Sequence, residues 1–244
     1  MSAQPYAAPR TEPRSHPAFA WAVHAYTASG ALAAFAAVIA IVDDRYRTAF
    51  ALLVLATLID ATDGVLARLA RVMEATPRFD GARLDDIVDY LTFVFVPMLL
   101  LYHAGELPER WAAVPVAAVL LSSAYGFCAT DAKTDDGFFT GFPSYWNIVA
   151  VYLYAARLGP AVSAGILLVL SALVFVRNGY VYPTRTPVLR GLTIALGAVW
   201  GVMVLTMIAW MPDVPGALVI VSLFFPVYYA VLSFMLDARR GHRS

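Results

Sequence analysis

Four of the six aspartates in the thirty-residue stretch 60–89 have the spacing of side chains that share a helix face. Asp60 and Asp63 are three residues apart, and Asp85 and Asp89 are four apart. Residues at these spacings lie on the same side of a helix. Carboxylates are costly at membrane depth, where they pair, bind metal or line a water-filled cavity. Four converging carboxylates would form an oxygen-rich pocket suited to Mg²⁺, Mn²⁺ or Ca²⁺.

The composition predicts an integral membrane protein. Hydrophobic residues make up 61% of the 244 positions, and charged residues make up only 14%, whereas soluble domains contain roughly 25% charged residues. The length suits a single transmembrane catalytic domain, which we assign to residues 21–238. Residues 1–20 lack the apolar core of a signal peptide and are expected to form a flexible cytoplasmic arm. Residues 239–244 are expected to form a basic cytoplasmic tail.

The predicted fold class is an all-α polytopic membrane protein. About 20 apolar residues are needed to span a bilayer as a helix. We predict about eight transmembrane helices, at residues 24–42, 47–70, 83–103, 111–129, 144–158, 160–177, 190–210 and 215–236. The fifth segment is short, and Gly159-Pro160 separates it from the sixth, so these two could instead form one kinked hairpin.

The distribution of basic residues predicts which helix ends face the cytoplasm. With the amino terminus inside, 13 of the 17 lysines and arginines fall on the same side of the membrane. Basic residues are enriched in cytoplasmic loops. We therefore expect a multi-pass protein of the cell inner membrane, with both termini and the four aspartates at the cytoplasmic face.

The residues around the aspartates resemble the signature of the CDP-alcohol phosphotransferases. The matching positions, in order, are Asp60, Asp63, Gly64, Ala67, Arg68, Gly81, Asp85 and Asp89. That family transfers a phosphatidyl or similar group from a CDP-linked donor to an alcohol. The resemblance implies a helical membrane bundle that binds two divalent ions, Mn²⁺ or Mg²⁺, beside a CDP-linked donor.

The resemblance also implies roles for the matching residues. The metal ligands would be Asp60, Asp63, Asp85 and Asp89, and Asp89 would also be the general base. Room for cytidine is implied at Gly64, Ala67 and Gly81, although small residues also allow helix backbones to pack closely. CDP contacts are expected at Thr27 and Arg68. Two alternatives stay open: Thr27 could bond back to its own helix, and Arg68 could pair with an aspartate.

The gap between the two halves of the signature is unusually long. Twelve residues separate Arg68 from Gly81, which is more than in most members of the family. This gap looks like that of the bacterial phosphatidylcholine synthase branch, whose members transfer the phosphatidyl group of CDP-diacylglycerol to free choline and release CMP. Serine, inositol or glycerol phosphate are the alternative acceptors. We expect the added residues to extend the cytoplasmic ends of the second and third helices.

Choline recognition calls for aromatic rings or carboxylates, because a quaternary ammonium has no N–H donor. Aromatic residues are concentrated near the predicted cytoplasmic face, and the candidates are Tyr145, Trp146 and Tyr182. An aromatic belt at the membrane interface is the alternative. Arg185 and Arg190 lie in a cytoplasmic loop and could contact donor phosphates or anchor the topology near anionic lipid.

A cation transporter is the alternative from a different class of protein. A transporter would place its binding site near the bilayer midplane. The last five predicted helices contain no acidic residue, and the four aspartates cluster at one face. This distribution favours an enzyme whose partners are CDP-diacylglycerol, choline and membrane lipids. We expect no nucleic-acid partner, and the sequence leaves a homodimer open.

Overall fold

The computed structural model describes residues 16–130, 138–181 and 188–241, which are almost entirely helical. The helices are α1 Pro17–Val42, α2 Tyr46–Leu69, α3 Val72–Ala75, α4 Gly81–Asp89, a π-helical segment Tyr90–Phe95, α5 Val96–His103, α6 Ala113–Cys128, α7 Trp146–Ala156, α8 Pro160–Leu173, α9 Arg190–Trp210, α10 Gly216–Ser222 and α11 Phe224–Gly241. Two short strands, β1 Phe138–Thr140 and β2 Gly179–Val181, pair antiparallel with Phe138 opposite Val181.

The predicted class, an all-α polytopic membrane protein, is confirmed. Among the described residues, the helices long and apolar enough to cross a membrane are Pro17–Val42, Tyr46–Leu69, Arg190–Trp210 and Gly216–Ala238. Three further apolar helices, α6, α7 and α8, are shorter. The break predicted at Gly159-Pro160 is present, because Gly159 has a φ of +86° and Pro160 begins α8. The number of eight spans stays a prediction.

Both predicted ends of the catalytic domain differ from those in the structure. Helix α1 begins at Pro17, so residues 17–20 are helical and do not belong to a flexible arm. Proline suits the first position of a helix, because its φ is already fixed and its missing N–H would have no partner there. At the other end, α11 continues to Gly241, into the predicted tail. Residues 1–15 and 242–244 lie outside the described part of the chain.

Helix α1 buries small residues and exposes large ones. Ala33, Ala37 and Ala40 are buried, whereas Leu32 and Phe35 are 72% and 66% exposed. In a bilayer the large apolar side chains can face lipid, and the small ones let helix backbones approach closely. Gly30 shows how close this approach is, since a Cβ there would lie 2.6 Å from Val88 Cγ1 on α4. Helix α1 therefore lies directly against the helix that carries two of the aspartates.

Polar side chains fix the register between neighbouring helices. The Tyr26 and Thr62 hydroxyls are 2.8 Å apart and join α1 to α2. The buried Asn147, at the start of α7, donates its side-chain N–H to Thr57 on α2 over 3.1 Å. Because Thr57 precedes Asp60 by three residues, the start of α7 is held about one helical turn from the first aspartate.

Candidate metal centre

Three carboxylates from the two halves of the signature meet at one place. One oxygen from each of Asp60, Asp85 and Asp89 lies within 4.8 Å of the others. Asp60 is on α2, whereas Asp85 and Asp89 are one turn apart on α4. All three residues are partly exposed, so an ion or a substrate can reach them. Carboxylate oxygens are the ligands that Mg²⁺ and Mn²⁺ prefer, and this group therefore fits a divalent cation.

Local interactions at both ends position α4. The Asp80 side chain caps the helix by accepting a hydrogen bond of 3.0 Å from the Arg83 backbone N–H. Immediately after Asp89 the chain forms the π-helical segment, in which the Tyr90 hydroxyl donates to the Leu120 carbonyl over 2.9 Å. Such π-helical turns are frequent at functional sites. Asp85 and Asp89 are thus presented from a helix that is anchored before and after them.

The fourth predicted ligand, Asp63, is held by a side chain of α1. Asp63 is buried and is not a member of the three-carboxylate group. Its Oδ2 accepts a hydrogen bond of 2.8 Å from the Thr27 hydroxyl, which is also buried. The alternative in which Thr27 bonds back to its own helix is therefore wrong, because the Thr27 hydroxyl donates its one hydrogen to this buried carboxylate. Thr27 fixes the orientation of Asp63 relative to α1.

The long gap between Arg68 and Gly81 folds back onto α1. We expected it to extend the ends of the flanking helices, and that expectation is wrong: α2 ends at Leu69, and the gap contains the separate helix α3. Arg71, with a φ of +47°, makes the turn between them. The segment then packs its apolar side chains on the first turns of α1, with the Trp21 and Phe79 ring centroids 5.1 Å apart. Trp21 and Phe79 stay 52% and 37% exposed, but their contact removes part of their apolar surface from water, which favours folding back over extension into solvent.

A buried histidine secures this segment, and sequence reasoning assigned it no role. The His24 Nε2 lies 2.9 Å from the Thr76 hydroxyl oxygen. That hydroxyl donates its only proton to the Val72 carbonyl over 2.8 Å, so His24 carries the proton on Nε2 and is the donor. The ring also lies 4.5 Å from the Phe79 ring, centroid to centroid. His24 thereby links α1 to the segment between α3 and α4.

The two signature glycines differ in their surroundings. A Cβ at Gly81 would lie 2.8 Å from His24 Cε1, whereas a Cβ at Gly64 would meet only Arg68 Nη1, at 3.5 Å. The packing of the chain itself therefore requires glycine at position 81, whereas it does not require glycine at position 64. The Arg68 guanidinium lies beside Gly64 and the residue is exposed, while Ala67 is partly buried on the same helix.

Aromatic side chains gather at the start of α7. We call the set consisting of Phe142, Tyr145, Trp146, Tyr180 and Tyr229 the aromatic cluster. Tyr145 and Tyr180 each pack against Tyr229, with ring centroids 6.4 and 6.5 Å apart. Tyr229 comes from α11 and was not among the predicted residues. Burial raises the pKa of the Tyr180 phenol, which keeps this ring neutral. Tyr145 and Tyr229 are the partly exposed tyrosines of the cluster.

The other predicted substrate contacts have different surroundings. Trp146 is completely buried, and its indole N–H donates to the Ser123 hydroxyl over 2.7 Å, so its ring belongs to the core. Arg190 is the exposed first residue of α9. Tyr182 and Arg185 lie outside the described residues.

Comparison with known proteins gives the same family as the signature. The phosphatidylcholine synthase of Pseudomonas aeruginosa is 40% identical over 210 residues, which cover 84% of this chain and 88% of that protein. The phosphatidylcholine synthases of Legionella pneumophila and Rhizobium meliloti are 38% and 35% identical, over 88% and 89% of this chain and 87% and 90% of those proteins. The chain belongs to the phosphatidylcholine synthase family.

Membership of this family confirms the predicted resemblance to the CDP-alcohol phosphotransferases. It also confirms the predicted enzyme class, and nothing among these relatives favours a transporter. No protein-family model matches the chain. The assignment rests on relatives that align over most of their length.

Substitution of Gly81 tests whether its lack of a side chain is needed for packing against His24. Gly81→Ala should inactivate the protein and lower its thermal stability, because the added methyl would overlap the hydrogen-bonded His24 ring. The double variant His24→Ala/Gly81→Ala should recover part of the lost stability, since the smaller side chain leaves room for the methyl. Unfolding monitored in detergent, together with activity, measures both effects.

Gly64→Ala is the matched control, because its methyl meets only the end of a flexible arginine at an ordinary contact distance. Its stability should equal that of the unmodified protein. If Gly81→Ala were as stable as Gly64→Ala, the packing role of Gly81 would be refuted.

Proposed function

We propose that this protein transfers the phosphatidyl group of CDP-diacylglycerol to the hydroxyl of free choline, releasing CMP. One observation carries the proposal: carboxylates of Asp60, Asp85 and Asp89 converge within 4.8 Å in a chain that is 40% identical to a phosphatidylcholine synthase. Serine, inositol and glycerol phosphate remain the alternative acceptors, and no contact among the described residues favours them.

Asp60, Asp85 and Asp89, together with Asp63, would hold two divalent cations, Mn²⁺ or Mg²⁺. When bound, such ions neutralise the charge of the pyrophosphate and orient the attacking and leaving oxygens. The chain contributes the arrangement of the carboxylates: α2 supplies the first pair and α4 the second. The bond between Thr27 and Asp63 would keep the buried carboxylate turned toward α1, so that Thr27 acts as a positioning residue.

Asp89 would take the proton from the choline hydroxyl. An alcohol is too weak an acid to ionise unaided at neutral pH, and a positioned base is therefore required. The resulting alkoxide attacks the phosphorus that bears diacylglycerol, the bond from this phosphorus to the bridging pyrophosphate oxygen breaks, and CMP leaves. Asp89 suits this role because it is partly exposed and lies at the end of α4, next to the other carboxylates.

The donor would lie along the exposed side of α2 and the start of α4. Cytidine would lie beside Gly64, where an added Cβ would meet only the end of the Arg68 side chain, with Ala67 and Gly81 bordering the same surface. The exposed Arg68 guanidinium beside Gly64 would contact a donor phosphate, because guanidinium groups form strong bonds to phosphate oxygens. Arg185 and Arg190 are further candidates for the donor phosphates.

Choline would be recognised by the aromatic cluster, with Tyr145 as the main contact and Tyr182 as a further candidate. The support is positional: Asn147 ties this end of α7 to α2 one turn from Asp60, and the Tyr145 ring is partly exposed. The face of an aromatic ring attracts a quaternary ammonium. Trp146 would act from the core, by fixing the start of α7 through its bond to Ser123.

The site and both termini would face the cytoplasm of the cell that carries the protein in its inner membrane. The excess of lysine and arginine on that side supports this orientation. A cytoplasmic site would also give the enzyme direct access to water-soluble choline and would release CMP into the same compartment.

Substitution of the aspartates tests the proposed chemistry. Asp60→Asn, Asp63→Asn, Asp85→Asn and Asp89→Asn should each lower turnover by about 10²–10⁴-fold, because the loss of one member disables a set of residues that act as a unit. Turnover is measured as CMP released from CDP-diacylglycerol and choline, with and without a chelator. Asp86→Asn is the matched control: Asp86 adjoins Asp85 but is not a member of the carboxylate group. Normal turnover in the Asp89 variant would refute its role as the base.

Replacement of Tyr145 tests the proposed acceptor contact. Tyr145→Ala should raise the KM for choline by up to about thirtyfold, which corresponds to the roughly 2 kcal/mol of one desolvated cation–π contact. The KM for CDP-diacylglycerol should stay nearly constant. Tyr145→Phe should retain choline affinity, because the ring remains. Tyr125→Ala, which removes an exposed aromatic ring of α6, is the control. An equal rise in both KM values would contradict a choline contact, and faster use of serine or inositol would contradict the acceptor.

A further inference from the structure

A second polar site lies at the opposite end of the helices from the aspartates. A cavity of about 370 Å³ opens there and is lined by Tyr46, Ala104, Glu106, Tyr154, Arg157 and Gly159. Tyr46 begins α2, whereas Asp60 lies 14 residues further along the same helix. At about 1.5 Å per residue the two are separated by roughly 21 Å along the helix axis. The cavity is therefore distinct from the candidate metal centre.

Fixed aromatic rings form one wall of the cavity. The Tyr46 hydroxyl donates to Asp44 Oδ1 over 2.7 Å and lies 3.0 Å from His103 Nδ1. The Tyr46 and Tyr154 ring centroids are 5.7 Å apart. Tyr154 also packs edge-on against the fully buried Phe50, at 5.5 Å. These contacts hold both rings in place before any ligand binds.

Two groups of opposite charge also line the cavity. Glu106 is partly buried, and burial raises the pKa of its carboxyl while Arg157 opposes that rise. Arg157 ends α7 with a φ of +48°, and its guanidinium donates to the Pro212 carbonyl over 2.8 Å. It is also 3.4 Å from Asp213. These two contacts hold the Arg157 guanidinium at the edge of the cavity. Its five N–H donors leave some available for a ligand.

We propose that this cavity binds a phosphocholine-type zwitterion, with the ammonium group against Glu106 and the tyrosine rings and the phosphate on Arg157. Aromatic faces and a carboxylate suit a quaternary ammonium, and a guanidinium suits a phosphate. Because the cavity is lined by both a carboxylate and a guanidinium, it favours a ligand that carries both charges over a simple cation or a simple anion. The volume lies at the lower end of the range of small-ligand sites. The zwitterion is supplied either by a lipid headgroup or by a soluble phosphocholine.

The test measures binding and requires no turnover, so its result is independent of the proposed activity. Full-length protein in phosphatidylglycerol nanodiscs is dialysed against radiolabelled phosphocholine. Saturable binding should weaken roughly tenfold in Glu106→Gln and in Arg157→Gln, because each removes a charge-assisted contact. In a second arm, native mass spectrometry counts the phosphatidylcholine that the protein retains from mixed nanodiscs. Retention that the same substitutions reduce would identify a lipid headgroup as the source.

Matched controls separate the cavity from general surface charge. Glu109→Gln and Arg110→Gln remove exposed charges from the connection between α5 and α6, which also carries Glu106, and neither residue lines the cavity. Both variants should bind as the unmodified protein does. The proposal is overturned if neither ligand binds, or if Glu106→Gln and Arg157→Gln leave both kinds of binding unchanged.

Discussion

The close packing of α1 against α2 and α4 is the constraint on which the position of every carboxylate depends. Gly30 lets α1 approach Val88 on α4, and the Thr27–Asp63 hydrogen bond fixes α1 against α2. His24 then holds the segment that leads into α4. Because these contacts all start from one side of α1, a shift of this helix would move the two halves of the signature relative to each other.

The convergence of carboxylates explains why such packing is necessary. Like charges as close as those of Asp60, Asp85 and Asp89 repel one another unless a counter-charge lies between them. This repulsion pushes α2, which carries Asp60, away from α4, which carries Asp85 and Asp89. The hydrogen bonds of α1, the cap at Asp80 and the bond from Tyr90 to Leu120 resist this separation. The protein thus maintains an arrangement that favours the binding of cations and, through them, of a pyrophosphate.

The sequence predicted what depends on local spacing and missed what depends on distant contacts. The aspartates three and four residues apart were assigned to common helix faces, and the break at Gly159-Pro160 was expected, because both follow from local backbone geometry. The hydrogen bond from Thr27 to Asp63 was not predictable, since these residues are 36 positions apart. The folding of the gap onto Trp21 and the burial of Trp146 likewise depend on partners far along the chain. Tyr229 of the aromatic cluster was not predicted either, because it lies on the last helix, α11, where no sequence motif marks it.

Binding of Mn²⁺ tests most directly whether the converging aspartates form a metal centre. Titration of the purified protein with Mn²⁺ in the presence of CDP-diacylglycerol, followed by electron paramagnetic resonance, counts the bound ions without any need for turnover. We predict two bound ions in the unmodified protein and in Asp86→Asn, and the loss of at least one ion in Asp60→Asn and in Asp89→Asn. Unchanged Mn²⁺ binding in both Asp60→Asn and Asp89→Asn would refute the proposed metal centre.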